Sequence, residues 1–209
     1  MTQGSDGPLL DWNSAYVDNW APWDIGRPQP VWIEIADEMI SPVLDSGCGT
    51  GEHALMLAEQ GLEVLGIDIS PRAIELAIEK AARRGLEAEF AVGDVLKLDR
   101  LGRRFATVID SAVFHVFGDV DRARYVESLA SVLDPGGTLY LLVFSEHTPG
   151  EEGPRRVTQT ELRLAFADGW EVRRIEPALI EVREDYGLDP ARAWLARIVK
   201  SVAPSGSVT

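Results

Sequence analysis

An acidic residue and a run of glycines follow the first buried stretch of the sequence. Residues 43–44 are apolar and lead into Asp45, and the turn behind it carries glycine at alternate positions, namely Gly47, Gly49 and Gly51. Glycine lets a backbone approach a ligand closely, and the helix predicted next offers free N–H groups at its start. A second apolar run, residues 64–67, ends on Asp68, whose carboxylate can accept hydrogen bonds from both hydroxyls of a ribose. This order of elements predicts a βαβ unit that binds a nucleoside-containing cofactor: a strand, a glycine turn, a helix, a second strand and an acid.

The charges around the turn narrow the choice of cofactor. The dinucleotide fingerprint G-x-G-x-x-G places a pyrophosphate at the helix start, but these glycines read G-x-G-x-G, with Asp45 ahead and Glu52 behind. Two carboxylates would repel a pyrophosphate and would suit a ligand that carries cations. The sequence here resembles the class I S-adenosylmethionine-dependent methyltransferases, whose first motif is acid-x-G-x-G-x-G. S-adenosylmethionine carries a sulfonium and an ammonium, which agrees with the two acids. A turn with a purely structural role and a dehydrogenase are the alternatives.

The resemblance implies further cofactor-binding residues. In methyltransferases of this class an acid after the third strand takes the adenine amino group, and the next backbone N–H meets the ring. Asp94 and Val95 match those two positions. The resemblance also places Ile69, which follows the ribose acid, and Asp110, which ends the fourth strand, at the cofactor.

The segment of residues 20–30 combines aromatic residues with prolines. Three prolines and a glycine within residues 21–30 exclude a regular element over most of it. It is either a strap over the core or a lid over cofactor and substrate, with Trp23 against the ligand and Arg27 paired with the methionyl carboxylate. PWDIGRPQP is similar to a segment of small-molecule methyltransferases, including the thiopurine methyltransferase-like group and bacterial enzymes that methylate quinones and heterocyclic toxins.

The loop of residues 111–118 is apolar for a surface connection. It follows a central strand at the edge where α/β sheets bind ligands, so Phe114 and Phe117 are candidates for the wall of an aromatic pocket. Removing a proton from a phenolic acceptor calls for a base, and His115 is the first candidate because histidine is a near-neutral base. His147, after the fifth strand, is the second. The alternative for His115 is a packing role. No cluster of residues suggests a metal site, so catechol-type Mg²⁺ chemistry is not expected.

Composition limits the partners. The chain has 209 residues and a net charge of −14, which disfavours nucleic acid because binding to phosphates relies on Lys and Arg. No apolar run is long enough to span a membrane, and the first residues do not read as a signal peptide. Cys48 is the only cysteine, which suits a reducing cytoplasm. A small aromatic or heterocyclic molecule is the expected substrate, and the oligomeric state stays open.

The elements that must position these residues form one α/β domain. The resemblance implies a Rossmann-like, seven-stranded, mostly parallel sheet with helices on both faces and an antiparallel last strand. We expect an arm and lid over residues 1–30 with the first 12 residues mobile, the domain over 31–202, and a disordered tail over 203–209. Residues 192–199 fit either a short helix or that last strand, and we favour the strand. Other expected elements are a helix over 31–39, strands over 86–92, 105–111, 138–144 and 170–175, and a turn over 134–137.

These observations predict an enzyme that methylates oxygen or nitrogen of a small aromatic or heterocyclic acceptor, of the phenol, quinone or quinolone type. Methyl transfer from a sulfonium is an in-line displacement, so the main task of the protein is to position the acceptor in a dry pocket. An acceptor thiol, thiopurine or halide is the alternative within the class. A protein that binds S-adenosylmethionine without catalysis is the alternative outside it.

Overall fold

A seven-stranded sheet organises the chain. The computed structural model describes residues 11–150 and 153–202, so the predicted disordered tail lies outside the described residues. The strands are β1 Val43–Ser46, β2 Val64–Asp68, β3 Glu89–Val92, β4 Phe105–Ser111, β5 Leu133–Phe144, β6 Trp170–Ile180 and β7 Ala191–Lys200. Their order is β3-β2-β1-β4-β5-β7-β6, and β7 runs antiparallel to both of its neighbours while β1 to β5 pair in parallel. The predicted mostly parallel sheet with an antiparallel last strand is confirmed.

Helices cover both faces of this sheet, also as predicted. They are α1 Trp12–Val17, α2 Pro30–Glu34, α3 Glu52–Glu59, α4 Pro71–Arg84, α5 Asp119–Val132 and α6 Gln159–Ala165. Successive side chains of β5 enter different cores, because a strand alternates its side chains between the two faces. Leu139 and Leu141 join a core with α5 and α6, whereas Tyr140 and Leu142 join a core with α2 and α3.

Local sequence explains where α4 and α6 begin and end. The Ser70 hydroxyl accepts from the Ala73 N–H at 3.1 Å, Pro71 occupies the first turn, and Gly85 ends α4 in the left-handed region at φ 66°. Thr158 and Glu161 form a reciprocal capping box at the start of α6. Among the described helices, none is long and apolar enough to cross a membrane.

Several predicted boundaries were wrong. The helix expected over 31–39 ends at Glu34 and is followed by a separate 3-10 turn, Ala36–Glu38. The turn expected over 134–137 lies inside β5, where the register with β4 shifts between Phe105 and Thr107 and the chain makes a bulge. Strand β6 continues through Pro177, which an edge strand tolerates because its outer N–H groups need no partner.

The amino-terminal segment contains a helix that was not predicted. Residues 1–10 lie outside the described part, but Trp12, expected to be mobile, begins α1, and the Asp11 carboxylate accepts from the N–H groups of Asn13 and Ser14 at 3.1 and 3.3 Å. Helix α1 packs against α4 and is tied to it, because the Asn13 side-chain oxygen accepts from the Ser70 hydroxyl at 2.9 Å. The described part of the arm therefore docks, through α1, at the carboxyl end of β2.

Candidate active site

The glycine turn between β1 and α3 needs its glycines. Gly47, Gly49 and Gly51 all have positive φ, at 76°, 53° and 82°. A Cβ on Gly47 would overlap the Val113 side chain, and one on Gly49 would lie 2.8 Å from the Tyr16 hydroxyl oxygen. The turn is thus enclosed by the loop after β4 on one side and by α1 on the other. A larger residue at Gly47 or Gly49 would be strained and would displace Val113 or Tyr16.

Asp68 connects the end of β2 to this turn. Its Oδ2 accepts from the Gly49 N–H at 2.9 Å, and its Oδ1 accepts from the Ser70 N–H at 2.8 Å. Burial raises the pKa of Asp68, and the backbone N–H groups of Ser70 and Gly49 oppose that effect. Each carboxylate oxygen keeps a further lone pair for a ligand. Ile69, the next residue, is half exposed beside it.

Asp45 is the most unusual residue of the site. Its side chain is 0% exposed, and neither carboxylate oxygen has a hydrogen-bond partner among the described residues. Burial raises its pKa to about 8. The backbone N–H of Ala54, at the start of α3, opposes this although it makes no hydrogen bond of good geometry to the carboxylate, and the nearby carboxylates of Asp68 and Asp110 add to the rise. A buried carboxyl group without a partner is costly, and a cationic ligand is what would offset that cost.

Asp110 binds the loop after β4. Its oxygens accept from the Val113 N–H at 2.8 Å and the Phe114 N–H at 3.0 Å, so it starts the 3-10 turn that carries His115. Burial raises its pKa to about 7, against hydrogen bonds from Val113, Tyr125 and Phe114. Its carboxylate shapes the loop after β4.

Asp94 lies at the carboxyl end of β3, and its carboxylate is partly exposed. Oδ2 pairs with the Lys97 ammonium at 2.7 Å, and Oδ1 accepts from the Leu96 N–H at 3.0 Å. Burial alone would raise the pKa of Asp94, but Lys97 and the Leu96 N–H hold it below its usual value. Val95 follows and begins a 3-10 stretch, with its carbonyl accepting from the Ser128 hydroxyl at 2.7 Å.

The electrostatic argument from two acids around the turn was wrong for Glu52. Its buried carboxylate pairs with the Lys80 ammonium at 2.8 Å and with the Arg84 guanidinium at 2.9 Å. Both cations come from α4, so Glu52 is neutralised within the protein. Asp45 alone supplies the uncompensated acid of the motif.

An aromatic cluster packs over the glycine turn. Its members are Trp12, Tyr16, Trp20 and Trp23. Trp23 lies at its centre, edge-on to the other three rings, and its indole N–H donates to the Tyr16 hydroxyl at 2.9 Å. Because that hydroxyl is also the atom next to Gly49, Trp23 is linked to the turn through Tyr16. Tyr16 was missed in the sequence, although the four-residue spacing of three of these aromatics signals one helix face.

Arg27 points to β6. Its guanidinium pairs with the Glu181 carboxylate at 2.6 Å, and its side chain is 54% exposed. The neighbouring Gln29 is buried and exchanges two hydrogen bonds with the Glu181 backbone, at 2.9 and 2.8 Å. Residues 27–29 are therefore joined to the end of β6, and Arg27 would reach a ligand carboxylate only by leaving Glu181.

His115 occupies a core position. It is 1% exposed, and its Nδ1 accepts from the Phe144 N–H at 3.0 Å. Burial lowers its pKa to about 3, and the cations of Arg122 and Arg156 contribute to the lowering. These surroundings suit a packing role, which was the alternative for His115. A near-neutral base would need a free nitrogen and a higher pKa.

The other acceptor-site candidates lie in different surroundings. Phe114 is fully buried between the Phe166 ring, stacked at 5.7 Å between centroids, and the Arg122 guanidinium at 4.7 Å, so it belongs to the core. Phe117 is partly exposed and packs on Tyr125. His147 is exposed, with its ring edge-on to Trp194 at 5.4 Å. In the part of the chain that the structure describes, no group of three or more acids, histidines or cysteines could hold a metal ion.

Comparison with known proteins assigns the family. The sequence is 37% identical over 169 residues to the 2-heptyl-1-hydroxyquinolin-4(1H)-one methyltransferase of Mycobacteroides abscessus, which covers 78% of this chain and 74% of that protein. The chain belongs to the S-adenosylmethionine-dependent methyltransferase family. The family model for a methyltransferase domain matches residues 43–137 of this methyltransferase, from the start of β1 into β5.

Two further relatives extend the match over most of the methyltransferase. It is 25% identical over 199 residues to the probable thiol methyltransferase 2 of Arabidopsis thaliana, covering 93% of this chain and 87% of that one. A solved structure from work on the conversion of a disulfide bond into a thioacetal group during echinomycin biosynthesis superposes with a TM-score of 0.78 at 35% identity. That alignment covers 86% of this chain and 85% of the other.

Proposed function

We propose that this methyltransferase transfers the methyl group of S-adenosylmethionine to oxygen or nitrogen of a small aromatic or heterocyclic acceptor. The main support for this choice of cofactor is Asp45. Its carboxyl group is wholly buried beside the glycine turn and makes no hydrogen bond of good geometry among the described residues. The ammonium of S-adenosylmethionine is the kind of group that would offset the cost of burying this charge. When bound, the cofactor supplies an electrophilic methyl group on sulfur.

The residues at the carboxyl edge of the sheet fit the other parts of this cofactor. Asp68 would hold the ribose hydroxyls with its remaining lone pairs, and the glycine turn would allow the close approach. Asp94 and the Val95 N–H would bind the adenine, with Ile69 beside it. Asp110 would act by holding the loop after β4 in place.

The arm over the glycine turn fits a lid. The aromatic cluster would exclude water from the reacting atoms, since Trp23 is anchored to Tyr16 and Tyr16 lies against Gly49. Water exclusion strengthens the interactions that position donor and acceptor. Arg27 would then bind the methionyl carboxylate in exchange for Glu181.

The acceptor is expected to be one that releases its proton easily. His115 has its Nδ1 occupied and a strongly lowered pKa, and His147 lies exposed against Trp194, where it stays the second candidate for a base. The hydroxyquinolone methyltransferase from Mycobacteroides abscessus supports a heterocyclic acceptor with an ionisable hydroxyl. A thiol is the second candidate, supported by the thiol methyltransferase relative and by the fact that a thiolate needs no base. We propose no nucleic-acid partner, because the chain is strongly acidic.

Two measurements test this function. Calorimetric titrations with S-adenosylmethionine and with NAD should show binding of the first and not of the second. Turnover is then measured with 2-heptyl-1-hydroxyquinolin-4(1H)-one, a series of phenols and an aromatic thiol. Methylation of the hydroxyquinolone or a phenol supports the proposal, and methylation of the thiol alone favours the second candidate. Cofactor binding without turnover on any acceptor would contradict catalysis on this substrate class, and NAD binding would contradict the cofactor.

A further inference from the structure

The Thr50 hydroxyl links the glycine turn to the lid. Thr50 is buried between Gly49 and Gly51, and its hydroxyl donates to the Asp24 carboxylate of the lid segment at 2.9 Å. The Lys80 ammonium of α4 donates to the same hydroxyl oxygen at 2.6 Å. A lysine has no acceptor, so the hydroxyl must accept from Lys80 and its single proton is directed to Asp24. Chemistry therefore fixes the direction of this chain of hydrogen bonds.

Lys80 is itself held firmly in place. Its side chain is only 16% exposed, and its ammonium pairs with the buried Glu52 carboxylate at 2.8 Å. The Arg84 guanidinium donates to both oxygens of Glu52, at 3.0 and 2.9 Å, so Glu52 would keep a cationic partner without Lys80. The arrangement runs from α4 through the turn to the lid, and each step is a charge-assisted hydrogen bond, which is stronger than a neutral one.

We propose that Lys80 is a positioning residue for the lid. By orienting the Thr50 hydroxyl, it fixes Asp24 and with it the adjacent Trp23 over the glycine turn. This rests on the proposed role of residues 20–29 as a lid over the cofactor. Lys80 touches neither cofactor nor acceptor in this scheme, and acts only by keeping the lid docked.

A matched pair of variants at one position tests the link. Thr50→Val keeps the shape of the side chain without the hydroxyl, and Thr50→Ser keeps the hydroxyl. Lys80→Met removes the ammonium but leaves the apolar stem, and Arg72→Met is its control, because Arg72 lies on the same helix and its side chain pairs only with the exposed Glu75 among the described groups. All variants are made in the full chain.

Two readouts follow the lid and the cofactor separately. Hydrogen exchange of residues 20–29 without ligand reports docking, and calorimetry reports the dissociation constant of S-adenosylmethionine. We expect Thr50→Val and Lys80→Met to speed exchange and to weaken cofactor binding, each by about tenfold, the effect of losing one charge-assisted hydrogen bond. Thr50→Ser and Arg72→Met should match the parent in both. With an acceptor that turns over, KM for the cofactor should rise and kcat at saturation should stay within about twofold.

The outcomes are distinguishable. Equal losses in Thr50→Val and Thr50→Ser, or unchanged exchange in Thr50→Val and Lys80→Met, would overturn the proposal. If the parent fails to bind S-adenosylmethionine, the proposed function is wrong, and the exchange of residues 20–29 still decides whether Lys80 and Thr50 dock this segment. If Lys80→Met does not fold, the Thr50 pair decides.

Discussion

Replacing Asp45 with asparagine should make the stability of the protein less dependent on pH and should weaken binding of its cofactor. The parent carboxyl is wholly buried, has no partner among the described groups, and has its pKa raised from 3.8 to about 8. The folded chain therefore keeps a proton on Asp45 that the unfolded chain releases above pH 3.8. The contribution of Asp45 to the free energy of unfolding is therefore fully present below pH 3.8 and is lost as the pH rises towards 8.

The size of the effect follows from the same pKa. Each pH unit well below 8 lowers the free energy of unfolding by about 1.4 kcal/mol. The slope is smaller near pH 8, where Asp45 is half ionised, so this group should remove about 2.3 kcal/mol between pH 6 and pH 8. For a chain of this length that is about 5–10 °C in the melting temperature. Asparagine does not titrate, so Asp45→Asn should lack this part of the decline. Any fixed cost of burying the amide is independent of pH and shifts both ends of the curve equally.

Thermal unfolding of parent and variant from pH 6 to pH 8 measures the difference directly. Calorimetry with S-adenosylmethionine in two buffers of different ionisation enthalpy adds a second readout, because Asp45 must release its proton to face an ammonium. The parent should bind more tightly as the pH rises towards 8 and should release close to one proton, whereas Asp45→Asn should bind weakly at every pH. A melting-temperature difference that is the same at pH 6 and pH 8 would refute the reasoning.

Three further predictions concern the other parts of the site. Asp68→Asn should weaken S-adenosylmethionine binding by about 1.5–3 kcal/mol in calorimetry, because a charged acceptor for the ribose is lost; unchanged affinity would remove Asp68 from the cofactor. Deletion of residues 1–28 should leave a folded domain without turnover and with little cofactor affinity, and full activity of the truncated enzyme would contradict a lid. His115→Ala should lower the free energy of unfolding by about 1–3 kcal/mol, since the partly buried Phe144 N–H loses its acceptor. His115→Asn, which can keep that acceptor, should retain the methylation rate within about tenfold, and a loss of about 10²–10⁴-fold at unchanged cofactor affinity would restore His115 as the base.

The glycine-turn unit could be predicted because its signals are local. The motif spans 24 residues and consists of the acid of β1, the alternate glycines and the acid of β2. Each of these residues can be recognised from its immediate neighbours in the sequence. Strand β7 was harder. It is buried on both faces over most of its length, so its apolar run has no alternation that would separate a strand from a short helix.

What could not be predicted depends on partners that are distant in sequence. In the sequence, Glu52 looks like an unpaired acid at the start of a helix. Only the fold brings Lys80 and Arg84 of another helix close enough to pair with it. The sequence suggests His115 as a base in an apolar loop, but the Phe144 N–H on β5 donates to its Nδ1 and the Phe144 ring packs edge-on against it. The roles of polar residues were set by tertiary contacts, whereas the positions of the turn and strands were set by the local pattern.

The place of β7 in the sheet has a consequence for how the chain acquires its structure during synthesis. Residues 191–200 pair with β5 on one side and with β6 on the other, so β6 has no partner strand until they have been made. Until then the long edge of β5 stays open to other chains, which is a known route to aggregation. A chain that ends before residue 191 would contain all the cofactor-binding motifs, but its sheet would lack β7. The sheet of this protein therefore stays incomplete until its seventh strand has been made, although every residue that we assign to the cofactor precedes that strand in the chain.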